Sequence, residues 1–444
     1  MIEDEYTMVW MGPVYEISGY GSVSRNFVKQ FNEIGTSIKV VPYGKREGPF
    51  IDKEILKLLM KLESTEIKGK VIVVYHGLPD SVVTLRFHGA AIVIAMLIFE
   101  TDSLPFYWKR ILNKRSIQEV WVPSEFNIES FVKGGVKRSK LRKVPYGIPE
   151  DSVKIEAVDN SGIFRILYIS NLGPRTATST LVEAFIQEFS NEEDVELYLK
   201  VNSSDQNAIK DFLKGIPEES RIVVDTRKLD ELQLKSLIKS AGLYISLDRA
   251  NGWGMPNMEA MKLGVPTATV NWSGSTEFSN RNNSYLIEPT GKSEFILSRK
   301  HANSFFRLYF DQKWADIDIK DVRKVMRSAK EDKERNKEIV LAAYKTINEE
   351  FNFKVICSNV TTHLMRKLAS FQYKEANFNI SSGSSMNKQA RRLILDIEYA
   401  IRGFLKYGQS NPFMFKIKRG HLNAILNRFS RKSKSPEKSE SDGI

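Results

Sequence analysis

The sequence predicts an α/β protein built from two doubly wound parallel sheets in tandem, and three observations predict it. Short apolar runs alternate many times with stretches of helical amphipathicity, the pattern of parallel strands covered by helices on both faces. A polar, weakly patterned segment at residues 149–162 interrupts that rhythm once, as a linker between domains does. At 444 residues the chain is too long for one ordinary core and suits two domains with an appendage.

In the first half, strands are expected at residues 7–11, 37–41, 71–75, 91–99, 119–122 and 143–145, with helices at 23–34, 51–62 and 127–134. The second series opens with FRILYIS at Phe164, followed by strands at 195–201, 221–224, 243–247 and 266–270. Its helices are expected at 179–189, 208–213, 229–240 and 256–263. Beyond Leu297 the pattern turns helical, and the charged span 321–338 reads as a solvated helix face. The expected organisation is therefore a Rossmann-like domain at 1–155, a second at 156–350, and a basic helical extension at 351–444. The ending, SRKSKSPEKSESDGI, has the low complexity of a disordered tail.

Composition narrows the classes. With 42% hydrophobic, 11% aromatic and 27% charged residues the chain reads as soluble and globular. MIEDEY is too acidic to open a secretory signal. The longest uncharged apolar stretch, residues 89–99, falls short of the ~18–20 residues of a membrane span. The sole cysteine, Cys357, excludes an intramolecular disulfide and a cysteine-rich metal site. A cytoplasmic location follows as the expectation. The net charge of +12 favours anionic partners, and residues 369–444 supply +8 of it, 14 Lys/Arg against 6 Asp/Glu. Nucleic acid is not expected, since neither an aromatic-interleaved RNA motif nor a zinc spacing accompanies the charge. Residues 393–405 and 413–429 mix apolar and basic side chains, which suits either an anionic membrane surface or packing on the core or a partner.

The segment Arg249 to Phe278 carries most of the chemical signal. A strand ends just before the turn Gly252-Trp253-Gly254; Pro256 then stands where a first helical residue belongs, and Gly264 just past the helix end. Such a helix start, pointing into a cleft between two sheets, offers amide N–H groups and a positive dipole end to a pyrophosphate. Glu259, one turn in, is placed to accept from ribose hydroxyls, and Ser273-Gly274-Ser275 is a further turn of potential donors. Singly, each glycine is explained by capping or turning; together, at one strand edge, they point to a binding site.

This segment resembles the signature Glu-Gly-x-Gly-x-Pro-x-x-Glu-Ala-Met-x-x-Gly-x-Pro of glycosyltransferase family 4, matching it at Gly252, Gly254, Pro256, Glu259, Ala260, Met261, Gly264 and Pro266. Asn251 stands where the family has its first glutamate, a contact to donor sugar hydroxyls. The likeness extends to the Gly19-Tyr20-Gly21 loop, to ETDSLP at residues 100–105, and to VWVPSEFNIESFVKGGV with KLRKVPYGI up to Ile148. It implies a GT-B fold, two Rossmann-like domains flanking a cleft, that moves a hexose-type sugar from a nucleoside diphosphate to an acceptor hydroxyl. Configuration would be retained, with no metal and no cofactor beyond the nucleotide-sugar co-substrate; the acceptor would be a glycan or a lipid-linked group. Where the family places Arg and then Lys against the diphosphate, this chain has Arg175 and then Thr176, and Lys200 at another strand end is a candidate substitute.

The expected donor-binding set is Gly19, Gly21, Arg175, Lys200, Gly252, Trp253, Gly254, Met255 and Glu259. The expected catalytic set is His76, Glu100, Asp102, Arg175 and Asn251, with His76 or a carboxylate orienting the acceptor hydroxyl or taking its proton. Asp316-Ile317-Asp318 lacks a supporting strand in the sequence pattern and is not taken as a metal site. The competing reading is a non-catalytic nucleotide-sugar-binding or scaffold subunit, motivated by Asn251 and Thr176.

Overall fold

The computed structural model describes residues 5–82, 85–148, 162–190, 192, 194–203, 205–294, 308–370 and 377–382. Met1–Phe295 and Tyr309–Ser382 form one compact unit, described below; the other unit, Ile296–Leu308 with Gly383–Ile444, lies outside the described residues except for Leu308. The linker at 149–161, the amphipathic segments 393–405 and 413–429 and the low-complexity tail likewise lie outside them.

The first half runs β1 (Tyr6–Gly12), α1 (Gly19–Glu33), β2 (Ile38–Pro42), α2 (Lys53–Glu63), β3 (Lys70–His76), short α3 (Pro79–Val82), β4 (Leu85–His88), β5 (Ala90–Met96), α4 (Trp108–Leu112), β6 (Glu119–Val122), α5 (Glu125–Lys133) and β7 (Leu141–Lys143). Strands β1, β3 and β5 are buried over nearly their whole length, which is why they read as continuous valine- and isoleucine-rich runs. Polar side chains start the helices: Ser18 accepts from Gly21 N, Asp52 from Glu54 N and Ile55 N, and Ser124 from Asn127 N. The sheet order is β2-β1-β3-β5-β6-β7, all parallel.

The second half repeats the plan with β8 (Phe164–Ser170), α6 (Thr178–Phe189), β9 (Val195–Val201), α7 (Gln206–Leu213), β10 (Ile222–Asp225), α8 (Glu231–Lys239), β11 (Leu243–Ser246), α9 (Met255–Lys262), β12 (Thr267–Val270) and β13 (Tyr285–Ile287). Its sheet order is β10-β9-β8-β11-β12-β13, again all parallel. In each sheet the strand order reverses direction once, between β1 and β3 and between β8 and β11. Ligands of doubly wound sheets bind outside the carboxyl ends of the strands at such points.

Three expectations need correction. Strand β5 stops at Met96 rather than residue 99, because β3 beside it ends at His76; Leu97 and Phe99 remain buried, but in a loop. Glu100 and Asp102 therefore sit on that loop and not on a strand end. The region beyond 297 is not helical throughout: β15 (Lys313–Asp316) pairs antiparallel with β14 (Gly291–Glu294). Asp316 thus has a supporting strand, where it pairs with Arg249, while Asp318 caps the helix Ile319–Glu331. A second antiparallel pair, β4 with β16 (Asn379–Ser382), joins residues nearly three hundred positions apart and left no sequence signal.

After helix Lys333–Glu349 the chain returns to the first half. Ile148 and Asn352 form an isolated bridge, and helix Phe353–Ala369 packs on α1 with Phe353, Ile356, Cys357, Leu364 and Leu368 in one cluster with Phe27 and Phe31. The rings of Phe27 and Phe353 meet edge-on at 4.7 Å. Below them, buried Glu119 accepts from Lys367 and from His363 Nε2 at 2.8 Å, so the returning helix is also held by charge. No helix among the described residues is long and apolar enough to cross a membrane.

Candidate active site

A cavity of about 390 Å³ lies where the two switch points face each other. From the first half it takes Gly19 and Tyr20 at the start of α1, His76 at the end of β3, Ile98 and Glu100 beyond β5, and Tyr146. From the second it takes Ser170, Asn171, Arg175 and Thr176 beyond β8, Asn202 beyond β9, Asp248 beyond β11, the loop Asn251–Gly254, and Met255 and Pro256 at the start of α9.

Gly254, at φ +96°, turns the chain into α9 with a backbone that glycine adopts without strain. Gly252 is required for a different reason: a Cβ there would overlap the side chain of Ile98 from the other half. Asn251 staples the loop, donating from Nδ2 to Asp248 Oδ2 at 3.1 Å and accepting on Oδ1 from Trp253 N at 3.1 Å. Ser273 and Gly274 back the loop, with Asn251 N donating to Ser273 Oγ at 2.9 Å and Gly274 N to Asn251 O at 2.7 Å. That turn supports the site and does not line the cavity, contrary to the expectation of extra donors. The Trp253 ring lies between Tyr146, Phe278 and Phe351, in the same apolar cluster as the core of the first half.

His76 is fully buried. Ser24 Oγ lies 2.7 Å from its Nδ1 and accepts from Trp10 Nε1 at 3.3 Å. Burial pushes the imidazole pKa down to about 3, so the ring is neutral at physiological pH. A ring with so low a pKa is a poor proton acceptor near neutrality, which narrows its expected role to orientation. His76 Nε2, Tyr146 Oη and Trp253 Nε1 are buried polar atoms without a hydrogen-bond partner, on side chains that help to line the cavity.

Arg175 donates to Ala250 O at 2.6 Å and lies 3.4 Å from Asp248 Oδ1. Burial alone would lower its pKa, but Asp248, Tyr309 and Glu100 outweigh that and hold it above the ordinary arginine value. Burial raises Glu100 and Asp248 above the usual carboxylate range, and Arg175 opposes both shifts. Thr176, in the position after Arg175, donates to Asn171 O at 2.6 Å and closes the loop beyond β8.

Of the expected residues, the cavity brings together Gly19, His76, Glu100, Arg175, Asn251, Gly252, Trp253, Gly254 and Met255. Four stand elsewhere. Gly21 lies inside α1, where a Cβ would overlap Glu16 O. Lys200 is buried against Asn202 Oδ1 at 3.2 Å, its pKa lowered by burial, and does not line the cavity. Asp102 is paired with Lys133 and accepts from Lys313 N at 2.7 Å, holding its loop to β15. Glu259 is half-buried one turn along α9, near Tyr244. Asp248, Tyr146, Asn171 and Asn202 were not anticipated; for Asp248 the signal was available, since it follows the strand LYIS at the same sheet edge. Among the described residues no three His, Cys, Asp or Glu side chains gather as a metal site.

Residues 163–298 match the family described as glycosyl transferases group 1. Over 82–83% of its length the chain shares the GT-B fold with solved glycosyltransferases. HepE from Anabaena, in complex with UDP and glucose, superposes with a TM-score of 0.57 at 12% identity, over 82% of this chain and 100% of that one. A glycosyltransferase from Rickettsia africae matches with a TM-score of 0.56 at 12% identity, over 83% and 99%. Sucrose-phosphate synthase from Thermosynechococcus elongatus matches with a TM-score of 0.57 at 12% identity, over 83% and 100%. No curated protein matches the sequence itself.

Proposed function

We propose that the chain is a glycosyltransferase that moves a hexose-type sugar from a nucleoside diphosphate to an acceptor hydroxyl, with retention of configuration and without a metal. The observation that carries this reading is the cavity at the paired switch points, with Arg175 and the start of α9 among its lining. The group 1 match covers the half that supplies Arg175 and the Gly252–Gly254 loop, and HepE, of the same fold, is seen with UDP and glucose.

In the transfer, the bond from the anomeric carbon to the diphosphate oxygen breaks and one to the acceptor oxygen forms. Arg175 and the start of α9 stabilise the charge that gathers on the departing diphosphate. Glu259, one turn along α9 and outside the cavity lining, holds the ribose where the nucleoside extends past the start of that helix. His76, neutral, orients a hydroxyl. The acceptor proton passes to the departing diphosphate or to Glu100, the first-half carboxylate that combines a place in the cavity with a raised pKa. The nucleotide-sugar is the partner proposed for the cavity, and a glycan or lipid-linked alcohol for the acceptor. The basic segment after residue 369 suits a cytoplasmic enzyme attached to an anionic membrane face. A binding-only scaffold is the second reading, favoured by Arg175 being flanked by two carboxylates with Thr176 beside it.

The test is release of free nucleotide and thermal stabilisation with UDP-, GDP- and ADP-sugars, where a ligand at ~100 times its Kd adds roughly 2.7 kcal/mol. Stabilisation with turnover supports the transferase. Stabilisation without turnover, even with alcohol acceptors added, favours the scaffold. No stabilisation by any donor marks a dead donor site at Asn251 and Thr176 and leaves the scaffold reading.

A further inference from the structure

We propose that Tyr309 is a positioning residue for the transfer, holding the Glu100 carboxylate at the cavity wall through its hydroxyl. The inference rests on the sugar-transfer reading and takes Glu100, of the two proton acceptors named there, as the one that serves.

Glu100 lies on the loop beyond β5, so the ladder of the first sheet does not reach it. The second half supplies the support instead. Residues 309–313 run along residues 99–102 and meet them in order. The Tyr309 ring stacks on Phe99 with centroids 5.8 Å apart, and its hydroxyl hydrogen-bonds the Glu100 carboxyl. Thr101 Oγ1 donates to Gln312 Oε1. Lys313 N donates to Asp102 Oδ1 at 2.7 Å, and Asp102 N to Lys313 O at 3.3 Å. Ser273 Oγ adds a bond to the Glu100 carbonyl at 2.9 Å. Phe99, Thr101, Tyr309 and Gln312 are all buried, so this seam is packed as a core is.

Glu100 lines the cavity and Tyr309 does not, so the tyrosine acts on the reaction only through the carboxylate. Burial holds the phenol above its ordinary range, which keeps it protonated and a donor. The ionisable groups that face Glu100 are Arg175, Asp248, Tyr20 and Tyr309. Burial raises the carboxyl, and Arg175 and the Tyr309 hydroxyl oppose that rise. A hydroxyl donated to a carboxylate favours its ionised form, the form that can accept a proton. Arg175 also serves the diphosphate in the transfer, which leaves Tyr309 as the donor that stays with Glu100 throughout.

The test compares wild type, Y309F, E100A and Y309F/E100A in the full-length chain. It is read by thermal midpoint without ligand and by the pH dependence of kcat/KM for the sugar donor. Tyr309→Phe keeps the ring that packs on Phe99 and removes only the hydroxyl. It is expected to move the acid limb of the profile up by about one pH unit, roughly a tenfold loss on the limb, with turnover regained above it. E100A should remove that limb in either background, and the midpoint loss caused by Y309F should shrink when Glu100 is absent. A Y309F profile that keeps the wild-type limb, or that falls equally at every pH, makes Tyr309 a structural residue and overturns the proposal. An additive midpoint cycle overturns it as well. If wild-type protein turns over no donor, the transferase reading falls and the positioning role with it. The midpoint cycle needs no donor and reads the contact between the two side chains in either case.

Discussion

Neutral His76 makes acid stability a test of the site's electrostatics. Its pKa falls from 6.5 in the unfolded chain to about 3 in the folded one, so the folded state refuses a proton that the unfolded state accepts. A depressed pKa gives stability that is complete above the unfolded value and is lost as pH falls towards the folded value. Between pH 7.5 and 5.0 the unfolded imidazole becomes almost fully protonated while the buried ring does not, which costs about 2 kcal/mol. The perturbation is His76→Asn, which removes the titrating ring and can still accept from Ser24. Urea unfolding across that pH range should show wild type losing about 2 kcal/mol more than the variant. Equal losses would refute the argument and mean that the ring is charged or solvated in the folded state. The pH profile of turnover should likewise lack any limb between pH 5 and 8 that His76→Asn abolishes.

The remaining expectations concern the rest of the cleft. Arg175→Ala should lower donor turnover on the order of 10²–10³-fold, as loss of a donor to transition-state charge does, with Arg175→Lys intermediate; equal turnover in all three would exclude a role against the diphosphate. Gly252→Ala should destabilise by about 1–3 kcal/mol through overpacking against Ile98, and Ile98→Ala in the same chain should recover part of it; thermal midpoints of the three forms decide. Glu259→Ala should abolish sugar transfer in the nucleotide-release assay, and unchanged turnover would remove the ribose contact from the mechanism.

The fold was legible because both sheets are parallel and buried: their strands announce themselves as continuous apolar runs, and α9 carries its own start and stop residues. The same reliance on apolar runs misplaced the end of β5, since Leu97 and Phe99 are as buried in a loop as in a ladder. Hairpin β14–β15 was missed because four-residue strands separated by a long insertion leave no local period. In the site, the glycine loop and Arg175 were readable as spacing. Tyr146 and Asn202 were not, because which loop side chains reach the cavity depends on how the two sheets meet, whereas Asp248 follows a strand end as Arg175 does. Lys200 shows the converse: its position at a strand end suggested a phosphate contact, but the chain folds its ammonium inward to Asn202.

The bridge between Ile148 and Asn352 has a kinematic meaning. The backbone passes between the halves twice, once after Ile148 and once just before Asn352, and this bridge pins the two crossings side by side. Two adjacent crossings define one pivot line, about which any opening of the halves would turn like covers about a spine. Phe351 lies on that spine and touches Trp253 at 5.8 Å between ring centroids. A swing of the halves therefore levers the Gly252–Gly254 loop directly, so that admitting a ligand and reshaping the loop that grips it would be one motion.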